Sequence, residues 1–180
     1  MQSTNDDLKL VLRALHFAAD KHRYQRRKDR ESSPYINHPI TLVSILCHEA
    51  GVIDAEVLCA ALLHDTVEDT ETSLADLERE FGHTIRTLVE EVSDDKTLPR
   101  DRRKQLQIEH ATHLSVKARH VKLADKISNL RDLAVSPPSG WGVERRREYF
   151  DWAKRVVDQI RGTHEVLESL FDEAHAARPT

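Results

Sequence analysis

The stretch Val57-Leu58-Cys59-Ala60-Ala61-Leu62-Leu63-His64-Asp65-Thr66-Val67-Glu68-Asp69 decides how this sequence folds. Its first seven residues are apolar on every side of a helix, and Asp54 stands where it can cap that helix. A helix that is apolar all round belongs at the centre of a bundle. Directly after it come His64, Asp65, Glu68 and Asp69, four ionisable residues within six positions. A buried carboxylate requires a cation or hydrogen-bond donors. Three carboxylates this close repel one another, and a divalent cation relieves the repulsion. An isolated His-Asp dipeptide at a helix end carries no such weight.

The rest of the chain repeats the helical period. Period-two alternation is nearly absent, and apolar residues recur at i, i+3 and i+4. Residues 8–22 place Leu8, Val11, Leu12, Leu15 and Ala19 on one face. A second helix opens at His38-Pro39, since proline is favoured at the first helical position, and Gly51 ends it. Ser73 and Asp76 have capping-box spacing for a helix that Gly82 stops. Further helices are predicted over 84–92, 99–113, 116–134, 143–161 and 163–176. Arg26 to Pro34 reads as a flexible basic loop, and Pro137-Pro138-Ser139-Gly140 breaks the chain. The expected fold class is all-α: one compact domain over residues 1–180, a bundle of about eight to ten helices.

Bulk properties bound the function. A length of 180 residues fits one core. An apolar fraction of 39% with 32% charged residues suits amphipathic helices and is no disorder signature. Cys47 and Cys59 each sit in an apolar run and read as reduced core residues. No segment approaches the roughly 20 apolar residues that span a bilayer. The polar, acidic N-terminus is the reverse of a signal peptide, so the expected location is the cytoplasm. A net charge of −4 argues against a nucleic-acid polymer as partner and leaves room for a small anion on a local basic cluster. Oligomeric state is not legible at this level.

The helix over 116–134 supplies a second clue. Lys122, Asp125, Lys126 and Asn129 fall at i, i+3, i+4 and i+7 and share one face. That face is either the solvent side or a metal ligand, Asp125, set between two phosphate-binding cations. With His38 at a helix start, the candidate ligands are His38, His64, Asp65 and Asp125. Two imidazoles and two carboxylates suit Mn²⁺, Fe²⁺ or Zn²⁺ better than Mg²⁺. Four protein ligands leave open positions for a water that the metal acidifies.

The pattern His…His-Asp…Asp resembles the HD-domain phosphohydrolases. Arg27-Lys28, Pro34-Tyr35-Ile36-Asn37-His38-Pro39, the run Ala60 to Thr70, and Val121-Lys122-Leu123-Ala124-Asp125-Lys126-Ile127-Ser128-Asn129-Leu130-Arg131 resemble the hydrolase domain of RelA/SpoT proteins. The likeness covers about residues 8–170. Glu90 to Pro99 and the segment from Gly140-Trp141 to Tyr149-Phe150 are similar to the stand-alone branch, the small alarmone hydrolases. The resemblance implies removal of pyrophosphate from the 3′ position of guanosine tetra- or pentaphosphate, giving GDP or GTP, with Mn²⁺ on His38, His64, Asp65 and Asp125. It implies that Glu68 and Asp69 activate or position the attacking water. It implies nucleotide contacts at Arg27, Lys28, Asn129 and Tyr149, and phosphate contacts at Arg100, where the branch usually has lysine, and Arg145. No synthetase or regulatory domain of the long RelA/SpoT proteins is visible, so hydrolysis alone is expected.

The residues themselves leave several roles open. Lys122 and Lys126 either contact phosphate or brace the carboxylates. Tyr149 is a nucleotide contact or core, since one of Phe150 and Trp152 must face inward. Arg145-Arg146-Arg147 is a solvated face with Arg145 the candidate exception. Three functions follow: the alarmone hydrolase, a phosphatase of another nucleotide such as the 2′-phosphate of NADPH, and a nucleotide-binding scaffold without turnover. Intact Glu68 and Asp69 weigh against the scaffold.

Overall fold

In a computed structural model of the chain, residues 2–180 are described, with side chains from Asn5 onward. Ten α-helical segments follow one another among them: α1 (Gln2–Lys21), α2 (Asn37–Ser44), α3 (Ala55–Leu63), the single turn α4 (Thr66–Asp69), α5 (Leu74–Phe81), α6 (His83–Val92), α7 (Arg100–His110), α8 (Val116–Val135), α9 (Val143–Val157) and α10 (Glu165–Ala176). The described residues form no strand, so the all-α expectation holds.

Local chemistry starts and stops these helices. Asp54 caps α3 by accepting from Glu56 N at 2.9 Å and Val57 N at 3.2 Å. The Ser73–Asp76 capping box forms in both directions, 3.1 and 3.0 Å. Gly82 (φ 83°) sits in the left-handed region between α5 and α6 and turns the chain where a side chain would be strained.

The centre of the bundle is α3. Its residues 57–63 are all buried, and it packs against α1, α2, α6 and α8. The 20-residue α8 lies against α2, α3, α6, α9 and α10. These two helices cross in the core, and the site is built where they meet. Among the described residues no helix is long and apolar enough to cross a membrane.

Several boundaries differ from expectation. α1 begins at Gln2 rather than residue 8, because nothing before Leu8 breaks a helix and Asp6 pairs with Lys9 at 3.1 Å. The second helix reaches Gly51 through a π-turn, Ile45–Glu49, in which adjacent Ile45 and Leu46 are both buried. α7 ends at His110 in a 3-10 turn, and Pro99 precedes it instead of opening it. α9 stops at Val157, and His164 caps α10 through its ring nitrogen. The loop at 26–34 is tied down rather than flexible. Arg26 bridges Pro34, Arg27 N donates to Ser33 O at 2.9 Å, and Tyr35 N donates to Gln25 O at 3.1 Å. Asp29 closes its tip by accepting from Ser33 N at 3.0 Å. Phe150 and Trp152 are both buried, not one of the two.

Leu123 on α8 is fully buried, and Leu8 on α1 is 57% exposed. Leu123→Ala is expected to cost about 2–5 kcal/mol, Asp54→Ala about 1 kcal/mol, and Leu8→Ala under about 0.5 kcal/mol. Urea unfolding followed by circular dichroism checks all three, and equal losses at Leu8 and Leu123 would contradict the assigned core.

Candidate active site and metal centre

Three helices deliver the candidate ligands to one point. α3 ends in His64, Asp65 follows before α4, α2 presents His38 from its first turn, and α8 presents Asp125. The rings of His38 and His64 lie 5.4 Å apart. Ligand atoms of His38, His64 and Asp65 fall within 4.8 Å of one another. Asp125 Oδ1 is 3.4 Å from His38 Nε2.

Each imidazole is oriented through its other nitrogen. His64 Nδ1 lies 2.8 Å from the Ala61 carbonyl, which can only accept, so Nδ1 carries a proton and Nε2 is the nitrogen left for a metal. His38 Nδ1 meets the Ser128 hydroxyl at 3.1 Å. Such second contacts fix ring orientation in metal sites. His64 Nε2 is 2.9 Å from Asp65 Oδ2 but in a geometry that makes no hydrogen bond. A buried ring nitrogen facing a carboxylate oxygen in this way is the arrangement of two ligands to a shared cation.

Electrostatics agree. Burial opposes charge on His64, but Asp65 beside it, with Asp125, outweighs burial and lifts its pKa to about 9. Burial also opposes charge on Asp65, and His64 and His38 outweigh it, holding the carboxyl below its usual range. Burial lowers His38. The carboxylates thus draw positive charge into the space between them. The mixed N/O donor set, its histidines buried and its carboxylates partly so, fits a divalent ion.

The two acids of α4 part company. Glu68 lines the cavity of about 220 Å³ that holds the candidate ligands. Its Oε1 accepts from Asp94 N at 2.7 Å. Burial, against that hydrogen bond and with Asp65 nearby, raises its pKa to about 7. Asp69 lines instead a second cavity of about 410 Å³. There it accepts from Gln25 Nε2 at 2.8 Å and pairs with Lys96. Adjacent helical residues diverge by about 100°, which separates them.

The basic candidates divide as well. Lys122 and Lys126 are buried and line the smaller cavity, so their face of α8 is not the solvent side. Lys122 Nζ donates to Val92 O at 2.9 Å. Lys126 Nζ lies 3.0 Å from Asp125 Oδ2 and 4.3 Å from the centre of the Trp152 ring. Lys126 thus braces a candidate ligand directly, while Lys122 is tied to the end of α6. Asn129 Nδ2 donates to Asp125 Oδ1 at 2.6 Å. Arg27, Asn129 and Tyr149 line both cavities, and Lys28 lines the larger. Arg27 pairs with Asp132 and lies 5.8 Å from the Tyr35 ring. Arg100 and Arg145 line neither cavity. Exposed Arg145 stacks at 4.2 Å on Trp141, which lines the larger one.

Sequence reasoning passed over four residues. Tyr35 donates its hydroxyl to Asp65 Oδ2, and burial raises its pKa. Gln25 holds Asp69, Asp94 holds Glu68, and Gln107 contacts both Asp94 and Lys126. Tyr35 stands three residues before His38, and that spacing is the signal that could have found it. The glutamines carry no signal in one sequence.

An HD-domain family model matches residues 14–151. The guanosine-3′,5′-bis(diphosphate) 3′-pyrophosphohydrolase MESH1 of Xenopus tropicalis is 56% identical over 168 residues, 93% of this chain and 94% of its own. Its Homo sapiens counterpart is 59% identical over 161 residues, 89% and 90%. The solved structure of a metazoan orthologue of SpoT, described as hydrolysing ppGpp and playing a role in starvation responses, superposes with a TM-score of 0.91 at 52% identity. It covers 94% of this chain and 95% of that one. With a matched family model over most of its length and relatives this close, the chain belongs to the HD-domain family, in the branch that holds the metazoan SpoT orthologues.

Proposed function

We propose that the protein removes pyrophosphate from the 3′ position of guanosine 3′,5′-bis(diphosphate), leaving GDP, with Mn²⁺ held by His38, His64, Asp65 and Asp125. One observation carries this reading. A cavity walled by metal-type ligands opens beside a larger one with polar and aromatic walls, and Arg27, Asn129 and Tyr149 stand on their common border. Phosphate chemistry belongs in the first and a nucleoside in the second. The larger volume, about 410 Å³, lies in the range for small-ligand sites. Relatives at 56% and 59% identity carry this activity in their names. Residues 1–180 read as one hydrolase domain, since a single buried cluster runs from Ala14 to Ala174.

A divalent ion bound by the four ligands supplies a Lewis acid for phosphoryl oxygen and water. The chain's own residues do the rest. Glu68 accepts a proton from the attacking water, whose oxygen bonds to the phosphorus next to the ribose. The bond from that phosphorus to O3′ breaks with its electron pair on O3′, which takes a proton from solvent as Glu68 gives its own back, and pyrophosphate is released beside GDP. Tyr35 holds Asp65 in place, and Lys126 and Asn129 hold Asp125. Arg27, at the border, stabilises charge that develops on the phosphoryl oxygens. Tyr149 and Tyr35 offer ring faces to the nucleoside, and Arg27 can stack on its base. Asp69, with Lys96 and Gln25, shapes the nucleoside side.

Protein loaded with Mn²⁺ is expected to convert guanosine tetraphosphate to GDP and pyrophosphate, and chelation is expected to stop it. Activity on other nucleotides only, with none on this substrate, would overturn the assignment. Glu68→Gln is expected to lower kcat by about 10²–10⁴ while nucleotide still binds, as checked by single-turnover assay and calorimetry.

The pH profile gives a third expectation. A raised Glu68 pKa means that protonation removes the base as pH falls. Activity should therefore drop on the acid side, with a midpoint at or below about 7, since a bound cation lowers the value further. Glu68→Gln should lack that limb. A limb unchanged in Glu68→Gln assigns it to another group.

A further inference from the structure

We propose that Gln107 is a positioning residue for the hydrolysis: it locks the base Glu68 and the ligand Asp125 into one hydrogen-bonded frame. The inference rests on the reading above that these two acids serve the same reaction. No contact joins Gln107 to either acid, and its place is fixed by four successive hydrogen bonds. Asp94 N donates to Glu68 Oε1 at 2.7 Å. Gln107 Nε2 donates to Asp94 Oδ2 at 2.8 Å. Lys126 Nζ donates to Gln107 Oε1 at 3.1 Å and to Asp125 Oδ2 at 3.0 Å. The chain of contacts runs from α4 through the 93–99 loop and α7 to α8.

The side chain required at this position is narrowly defined. One neighbour is a carboxylate, which accepts only, and the other is an ammonium, which donates only. The bridging group must donate to the first and accept from the second. A carboxamide does both at once. A carboxylate would face Asp94 with like charge, and a thioether would fill the space and bond neither. The polarity of the neighbours also sets which way the amide points.

Position 107 is itself held firmly. Trp152 Nε1 donates to the Lys104 carbonyl of α7 at 3.0 Å, and the Trp152 ring carries Lys126 against its face at 4.3 Å. So α9 anchors the helix that bears Gln107 and the lysine it binds. Gln107 lines the smaller cavity together with Glu68 and Asp94. Loss of the bridge releases the Asp94 side chain, and with it loosens the backbone N–H that aims Glu68. It also leaves Lys126 one acceptor short. Small misplacement of a reacting group is enough to cost orders of magnitude in rate.

The test compares wild type, Gln107→Met, Gln107→Glu and the pair Asp94→Asn with Gln107→Glu, each loaded with Mn²⁺ and assayed on guanosine tetraphosphate. In the pair, the amide introduced at position 94 donates to the carboxylate introduced at position 107, which still accepts from Lys126. The bridge thus re-forms with its polarity moved by one residue. Gln107→Met should lower kcat by roughly 10- to 100-fold with KM within about twofold, because the nucleoside cavity is untouched. Gln107→Glu should fall similarly. The pair should regain roughly fivefold or more over Gln107→Glu, as coupled residues of one network do. Circular dichroism melts of each variant separate misfolding from mispositioning. Gln107→Met with wild-type kcat, or a pair no better than Gln107→Glu, overturns the inference. Wild type inert on this substrate overturns the functional reading instead, and the two failures are thereby distinct.

Discussion

Charge held where the polar face of α8 packs against the apolar central helix α3 is the constraint on which this structure depends. Asp65 and Asp125 sit within a bundle whose central helix has no exposed residue from Val57 to Leu63. An unpaired carboxylate in such surroundings costs several kcal/mol. Asp65 is met by a donor from another element, and Asp125 by donors of its own helix. Tyr35 reaches Asp65 from the loop before α2, and Asn129 and Lys126 reach Asp125 from α8. The remaining deficit of positive charge falls on His64, or on a cation that replaces the proton it otherwise holds, while burial keeps His38 toward its neutral form. The loop 26–34 must therefore be tied, because it leads into Tyr35. α8 must turn its polar face inward, because the lysines are needed there.

The same constraint explains where the site is rigid. His64 and His38 each spend one nitrogen on a fixed protein oxygen, so both rings are set before any ion arrives. Lys126 is clamped between Trp152, Gln107 and Asp125. Side chains held by several partners lose little further freedom on binding, which favours affinity and rate. Stability gains nothing comparable. Buried ionic networks are often no better than apolar packing of the same volume. This network is intelligible as a device for holding charge in place, not as a source of folding energy.

Much of this was legible in residue order, and the parts that were not share a cause. The cap at Asp54, the box at Ser73 and the breaks at Gly51, Gly82 and Gly162 are local, and they fell where expected within a few residues. The ligand set came from spacing and resemblance, and the structure brings those four residues together. Burial of Lys122 and Lys126 was ambiguous, because a polar stripe at i and i+4 looks the same facing water or facing acids. Only the packing of α8 on every side resolves it. Gln107 lies on α7, which has no buried residue, and nothing in its own helix marks it. Its importance comes entirely from partners 13 and 19 positions away.

The parting of Glu68 and Asp69 shows how one turn of helix serves two cavities. Four residues, Thr66–Asp69, are too few to move independently, so the angle between adjacent side chains becomes a fixed division of labour. Glu68 faces the ligands without a cationic partner within hydrogen-bond reach, and burial keeps its proton affinity high. Asp69 faces the wider cavity already paired with Lys96 and Gln25. Burial of a carboxyl without a countercharge disfavours its charged form and makes it the better base. On the function proposed above, Glu68 serves the chemistry of the narrow cavity and Asp69 the recognition side of the wide one. Arg27 spans the border between them, held in readiness by Asp132, which a substrate phosphate can replace as its partner.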